Sequence, residues 1–336
     1  HAWLLLGIRA PEKQPCMSIA ATALFGLGMR DAHAWLLLGS TDPALVPILQ
    51  NAFLKYQRQP KLSQGMANAS VYSAHVGTTR GYQGFEKFSI TVGTMAAAQV
   101  PATTTDLGYY KKLGERLMKQ GDLNIGVAWN PWSLNVGVKL PAGFAITGKF
   151  GYLKYTYDQY DFDGIHAGGM LNYQVVEPKA PVVKFVLWRG ISIGTGLLWQ
   201  RNNTVIHHQA DPISSGGYTF KPVLDIKVTT ESYVIPVEIS TAVRLIWVLN
   251  IHAGGGIDFA MGTSKIRYAA VGAAYGPGVP AIFSVYGRQK GKGSKNYMPK
   301  IFVGPGLNFG PVIIDIPFTY YFMSGFNVGV TFGIIF

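Results

Sequence analysis

Phe326-Asn327-Val328-Gly329-Val330-Thr331-Phe332-Gly333-Ile334-Ile335-Phe336 stands at the end of the sequence, and its alternation decides the fold. Counting back from Phe336, positions Ile334, Phe332, Val330, Val328 and Phe326 are apolar, whereas Gly333, Thr331, Gly329 and Asn327 are small or polar. Successive side chains of a β-strand point to opposite faces. This stretch therefore predicts a strand with one face for lipid and one for a lumen, a stave of a membrane barrel.

The same period runs through most of the chain from residue 70 onward. Leu123, Ile125, Val127 and Trp129 alternate with Asn124, Gly126 and Ala128; Asn130-Pro131 reads as a turn; Trp132, Leu134, Val136, Val138 and Leu140 then alternate with Ser133, Asn135, Gly137 and Lys139. As a hairpin with one apolar face, it places Trp129 and Trp132 in the aromatic belt at the membrane–water boundary. Comparable stretches are 71–78, 88–98, 144–157, 165–175, 182–188, 191–200, 220–230, 233–243, 244–259, 265–271, 281–287, 301–309 and 312–320. They predict an all-β fold: a transmembrane antiparallel β-barrel of about 14 strands, in the range of roughly 12 to 16, because an open sheet of that many twisted strands curls or splits.

Composition agrees. The 336 residues hold 41 Gly, 18 Tyr, 18 Phe and 7 Trp, with 14% charged residues against a usual ~25%. Apolar residues at 48% exclude disorder. No run approaches the ~20 apolar residues of a spanning helix, which excludes a helical membrane bundle. A soluble β-sandwich or propeller would carry charge on its outer alternate positions, whereas here the non-apolar face is mostly Gly, Ser, Thr and Asn. One cysteine, Cys16, excludes an intrachain disulfide and a cysteine metal cage.

The first 69 residues read as a separate, partly helical segment ahead of a barrel spanning 70–336. His1-Ala2-Trp3-Leu4-Leu5-Leu6-Gly7 recurs as His33-Ala34-Trp35-Leu36-Leu37-Leu38-Gly39, one copy pair, too few for a stacked repeat. Met17 to Gly28 followed by Ala32-His33-Ala34 has the apolar core and small-x-small site of an export signal. Ser40-Thr41-Asp42-Pro43 caps an expected helix over 43–57, either packed on a neighbour or serving as a plug. A second helical pattern, 105–120, is expected at a barrel rim. Residues 276–300, with Arg288, Lys290, Lys292, Lys295 and Lys300, read as a long exposed loop.

The terminal strand resembles the C-terminal assembly signal of outer-membrane β-barrel proteins, in which alternating apolar residues end in phenylalanine; Phe326, Val328, Val330, Phe332, Ile334 and Phe336 carry it. The resemblance implies insertion in an outer membrane, with the lipid bilayer and the barrel-assembly machinery as partners. Asn327-x-Gly329-Val330-x-Phe332 is also similar to the signal of mitochondrial barrels, and a bacterial envelope is the preferred setting. Size and an apolar N-terminal segment resemble the fatty-acid transporter type of barrel, without its N-terminal asparagine-proline motif.

With apolar positions outward, the opposite parity assigns Lys139, Lys149, Lys184, Asp225, Lys227, Glu238, Arg244, His252, Asp258 and Asp315 to the lumen. Mixed rings of charge set ion preference, and the basic excess predicts weak anion selectivity; the alternative is that these charges pair and merely fill the interior. His207-His208 point to opposite faces of a strand and do not chelate one ion. Gly254-Gly255-Gly256 lacks the helix and Gly-Lys-Ser/Thr of a phosphate loop; it reads as a place for strand bending or close approach by a plug. No cofactor, metal or nucleic acid is expected, and no enzyme. The net charge of +12 is scattered and matches no nucleic-acid recognition element. The expected function is passage of small solutes, or of an apolar ligand, through the barrel. The alternative is a non-conducting anchor or assembly partner docking through residues 1–60.

Overall fold

The structure, a computed structural model, describes residues 25–27, 34–40, 60–77, 81–100, 124–179, 186–209, 212–215, 217–246, 248–276, 281–291 and 293–336. In chain order the elements are β1 (Phe25–Leu27), β2 (Ala34–Ser40), helix α1 (Pro60–Ser73), β3 (Phe88–Gln99), β4 (Gly126–Lys139), β5 (Phe144–Tyr157), β6 (Tyr160–Val176), β7 (Val186–Gln209) and β8 (Ile213–Ser215). There follow β9 (Tyr218–Leu245), β10 (Leu249–Tyr275), β11 (Ala281–Lys290), β12 (Tyr297–Phe309), β13 (Val312–Asp315), β14 (Phe318–Tyr321) and β15 (Gly325–Ile335).

All fifteen strands join one antiparallel sheet, and the sheet closes on itself. Each stave of the wall pairs with the next, β10 pairs along its whole length with β9, and the last strand, β15, pairs with the first wall strand, β3, from Gly325↔Gln99 to Ile335↔Ser89. β11 and β12 lie end to end along one edge of β10, and β13 and β14 end to end along β12. Twelve strands thus form the wall in ten staves: β3, β4, β5, β6, β7, β9, β10, β11 with β12, β13 with β14, and β15. The remaining strands extend the sheet: β8 on β9, and the β1–β2 hairpin, which includes part of the second HAWLLLG copy, on β11.

Side-chain parity follows the alternation in the sequence. Along β15, Phe326, Val328, Val330, Phe332 and Ile334 face out, Phe332 with 56% of its surface exposed, while Asn327 and Thr331 are fully buried inside. Phe336 stacks on Phe88 across the closing seam with ring centroids 4.7 Å apart, and its O atom accepts from the backbone N–H of Glu86, Lys87 and Phe88. A continuous outward face of this kind, Phe, Ile, Val and Leu around the wall, needs lipid to cover it.

Several expected boundaries move, for identifiable reasons. Asn130-Pro131 is no turn: β4 runs straight through it, with a register shift opposite Gly93/Met95. Proline has no N–H to give the ladder and so sits at the bulge, which slips the apolar parity between Trp129 and Leu134. Trp129 and Trp132 do sit on the wall, their indole N–H groups donating to Thr94 Oγ1 (3.1 Å) and to the Tyr152 carbonyl (2.9 Å). The pairs of stretches 182–188 with 191–200, 220–230 with 233–243, and 244–259 with 265–271 merge into the long strands β7, β9 and β10. Their upper halves stand clear of the bilayer, since about 9–11 residues suffice to cross it. Residues 71–73 end helix α1 instead of starting a strand. The helices expected over 43–57 and 105–120, Cys16 and Lys184 lie outside the described residues.

The barrel has two different ends. At the turn end, staves are joined by tight connections such as Pro141–Gly143, with Ala142 at φ 59, and Gly310-Pro311, with Gly310 at φ 61. At the loop end, β5–β6, β7–β9 and β10–β11 rise as a palisade above the other staves.

Candidate functional site: a plugged lumen

Helix α1 and the chain after it lie inside the barrel. Ala67, Ala69, Val71, Tyr72 and Val76 have no exposed surface. Close packing begins where Gly65 meets Gly126 at the start of β4: a Cβ on Gly126 would stand 2.0 Å from the Gly65 carbonyl oxygen, so neither position admits a side chain.

The plug touches the wall mainly through hydrogen bonds. Ser63 Oγ donates to the Ser264 carbonyl (2.9 Å), Asn68 to Gln99 (3.2 Å) and Tyr72 OH to Gln99 Oε1 (2.7 Å). Gln200 donates to Ser70 Oγ (2.9 Å) and Ser73 Oγ (2.8 Å), Asn327 to the Tyr72 carbonyl (2.7 Å) and Lys149 Nζ to the Val76 carbonyl (2.9 Å). Lower down, Ser192 Oγ donates to Gln83 (3.0 Å). Two apolar clusters interrupt this lining among the described residues, Val71, Tyr72 and Ala74 against Leu198, Val234 and Met298, and Phe85 against Ala145, Ile313 and Ile335; Tyr72 stacks on Tyr321, centroids 4.0 Å apart. Burial pushes the Tyr72 hydroxyl well above its ordinary range, with Asp258 adding to the effect, so it stays a neutral donor. A cavity of about 30 Å³ lies between plug and wall beside His75, Lys149 and Glu238, enough to hold water.

Where the plug leaves helix α1, four ionisable groups meet in the interior. His75 Nε2 lies 2.7 Å from Asp258 Oδ2; Lys300 Nζ lies 2.7 Å from Asp258 Oδ1 and 2.6 Å from Glu238 Oε1; His75 Nδ1 is 3.8 Å from Glu238. Asp258 is fully buried and Lys300 nearly so. The glycine run explains how they meet. Gly256 pairs with Glu238 on one side and with Lys300 on the other, and a Cβ there would come within 2.2 Å of the Val237 carbonyl oxygen and 2.9 Å of Glu238 Cα. With no side chain at 256, nothing on that rung of β10 stands between Glu238 and Lys300. His75, Glu238 and Asp258 also have the donor set of a metal site, and the Lys300 ammonium takes the cation position among them.

Of the residues assigned to the lumen, Lys139, Lys149, Glu238, Arg244, His252, Asp258 and Asp315 have inward parity. Asp225 and Lys227 do not: on β9 the buried positions are even-numbered, so these two face out, on the palisade. There Asp225 Oδ1 stands 2.7 Å from His207 Nδ1, and Asp161 Oδ2 3.3 Å from His207 Nε2. Sequence reasoning missed His75, hidden in a stretch read as a strand, and Lys300, read as part of an exposed loop. The clue lay in the position of Lys300 within the alternation Met298, Lys300, Phe302 that continues β12.

Residues 40–336 match the family described as Lsa36-like. The chain belongs to the Lsa36-like family. No curated protein matches it. Among solved structures, this member of the family is similar to the translocator domain of autotransporter NalP from Neisseria meningitidis, at 10% identity over 87% of this chain and 97% of that one, with a TM-score of 0.33. It is also similar to the Ralstonia pickettii toluene transporter TbuX, at 8% identity over 82% of this chain and 99% of that one (TM-score 0.28), and to a Pseudomonas aeruginosa FadL homologue, at 9% over 80% and 98% (TM-score 0.27).

Proposed function

We propose that this barrel is a passage for small polar solutes in a bacterial outer membrane, closed at rest by its own plug. The observation that carries the reading is the lining. Behind the plug the wall presents Ser89, Thr91, Ser133, Asn135, Ser192 and Gln200; Ser192 and Gln200 bond to the plug, Asn135 bonds to Thr91 and Ser133 within the wall, and such bonds can be exchanged for bonds to water at a net ~0.5–1.5 kcal/mol each. A lumen sealed permanently would gain more from apolar packing. Short turns mark the periplasmic end and the palisade the outer surface. The basic excess of the interior supports a weak anion preference, and catalysis is not part of the reading.

A second reading, a sealed barrel acting as an anchor or assembly partner, is favoured by the number of wall–plug hydrogen bonds. Planar-bilayer currents separate the two. His75→Ala with Gln200→Ala loosens the plug and should give discrete current steps; adding Ser70→Cys and Ser232→Cys, whose hydroxyls lie 3.2 Å apart, in a Cys16→Ala background should abolish them on oxidation and restore them on reduction. A folded loosened variant that stays silent at every voltage refutes the passage and leaves the anchor.

A further inference from the structure

The turn end carries a second site, separate from the plug latch. A cavity of about 320 Å³ opens there, lined by Phe85, Glu86, Arg244, Asn308, Ile335 and Phe336, with Gly310 at its rim. Its size lies at the lower edge of small-molecule pockets. Three cations gather around it: Arg244 in the lining, Arg189, and Lys139 at the last position of β4, whose Nζ lies 3.9 Å above the Tyr82 ring. Arg189 is 94% buried by its 6% exposure, and its Nη2 lies 2.8 Å from Glu86 Oε1. Glu86 itself is 66% exposed, so the anion of the pair is the member free to swing into solvent. Asp315 shares a rung with Arg244, by way of Asn250 and Gly306, but does not line the cavity. Burial works to raise the Glu86 pKa, yet Arg189, with Lys139 and Arg244 behind it, holds it below the ordinary carboxylate value, which reports a field that favours negative charge at this spot.

We infer that this pocket binds a compact oxyanion, phosphate or carboxylate, with Glu86 standing in for the ligand when the pocket is empty. Arginine suits the role because its planar fork holds such groups with two parallel hydrogen bonds. The apolar wall of Phe85 and Ile335 leaves room for a short carbon chain behind the charged head. The oxyanion is either free in solution or the head of an amphiphile, and the passage proposed above supplies only the site's setting; binding itself needs no passage.

Calorimetry on the detergent-folded barrel tests this with inorganic phosphate and hexyl phosphate, repeated on the oxidised Ser70→Cys/Ser232→Cys barrel, in which the plug cannot move. Saturable binding is expected, weakened about tenfold or more by Arg189→Gln, which removes the guanidinium that Glu86 now occupies, and tightened several-fold by Glu86→Gln, which removes the competing carboxylate. Equal affinity for the two probes identifies a free ion, and preference for hexyl phosphate identifies an amphiphile head. Absence of saturable binding of either probe to wild type and to folded Glu86→Gln overturns the inference, whatever the bilayer currents show. So does binding that Glu86→Gln leaves unchanged, since the carboxylate would then not occupy the ligand's place.

Discussion

Two histidines in this molecule each lie between a pair of carboxylates, and almost everything else about them differs. His75 meets Asp258 and Glu238 inside the barrel, on the plug, with Lys300 completing the group and almost no exposed surface. His207 meets Asp225 and Asp161 on the outer face of the palisade, 44% exposed, within one sheet. The first cluster joins two separate parts of the chain; the second joins neighbouring strands already held by backbone ladders. Similar chemistry is therefore a latch in one place and surface decoration in the other, because dielectric and connectivity decide what an ion pair does.

The strongest way to break the comparison is to remove the inner cation. Lys300→Met leaves Asp258 and Glu238 with only the His75 ring between them; removing one member of a buried ion pair costs about 3–5 kcal/mol. Denaturant unfolding of the detergent-folded protein should show a large drop in midpoint, partly recovered by adding Glu238→Gln. A drop below about 1 kcal/mol would mean that water reaches the cluster and the latch is as soft as its outer counterpart.

The next contrast lies along β9. In its lower half Tyr233, Ile235, Val237 and Ile239 face out; in its upper half Val223, Asp225, Lys227 and Thr229 take the same parity. Ile239→Arg puts a charge against lipid and should destabilise by about 2–4 kcal/mol if it sits near the bilayer midplane. Val223→Arg, on the same face of the same strand, should stay within about 0.5 kcal/mol. Folding yield into lipid vesicles, read by heat-dependent gel mobility, checks both. Equal losses would place the palisade in the membrane.

That same strand shows how far the sequence could be read. Ile, Val and Phe at every second position report contact with lipid, so the lower staves and the closing strand were legible from alternation alone. Alternation is silent about backbone pairing. Where β9 rises above the lower staves at Thr229-Thr230-Glu231 the apolar signal stops although the ladder continues, and one strand reads as two; β7 reads as two at Arg189-Gly190, where its register against β9 shifts. Inward parity located Asp258 and Glu238, but of their partners Lys300 stands on β12 in a stretch read as loop, and His75 follows a plug helix whose Ser, Gly and Asn residues suit a polar lumen and carry no helical apolar stripe. The latch is a tertiary fact, made by Gly256 and the path of the plug.

The smallest effect belongs to His207, where the sign is informative. Burial disfavours its charge, but hydrogen bonds and attraction from Asp225 and Asp161 outweigh it and raise its pKa above the ordinary value. A histidine whose pKa is raised on folding contributes fully below its unfolded pKa of about 6.5 and loses that contribution as pH climbs through the folded value. Stability should therefore fall slightly over that window, by an amount of the order of an exposed pair, ~0.2–1 kcal/mol, and His207→Gln should remove the step. Salt separates the clusters again. With a screening length of ~10 Å at 0.1 M shrinking to ~3 Å at 1 M, the His207 step should fade, while the loss caused by Lys300→Met, shielded from ions by wall and plug, should keep its size.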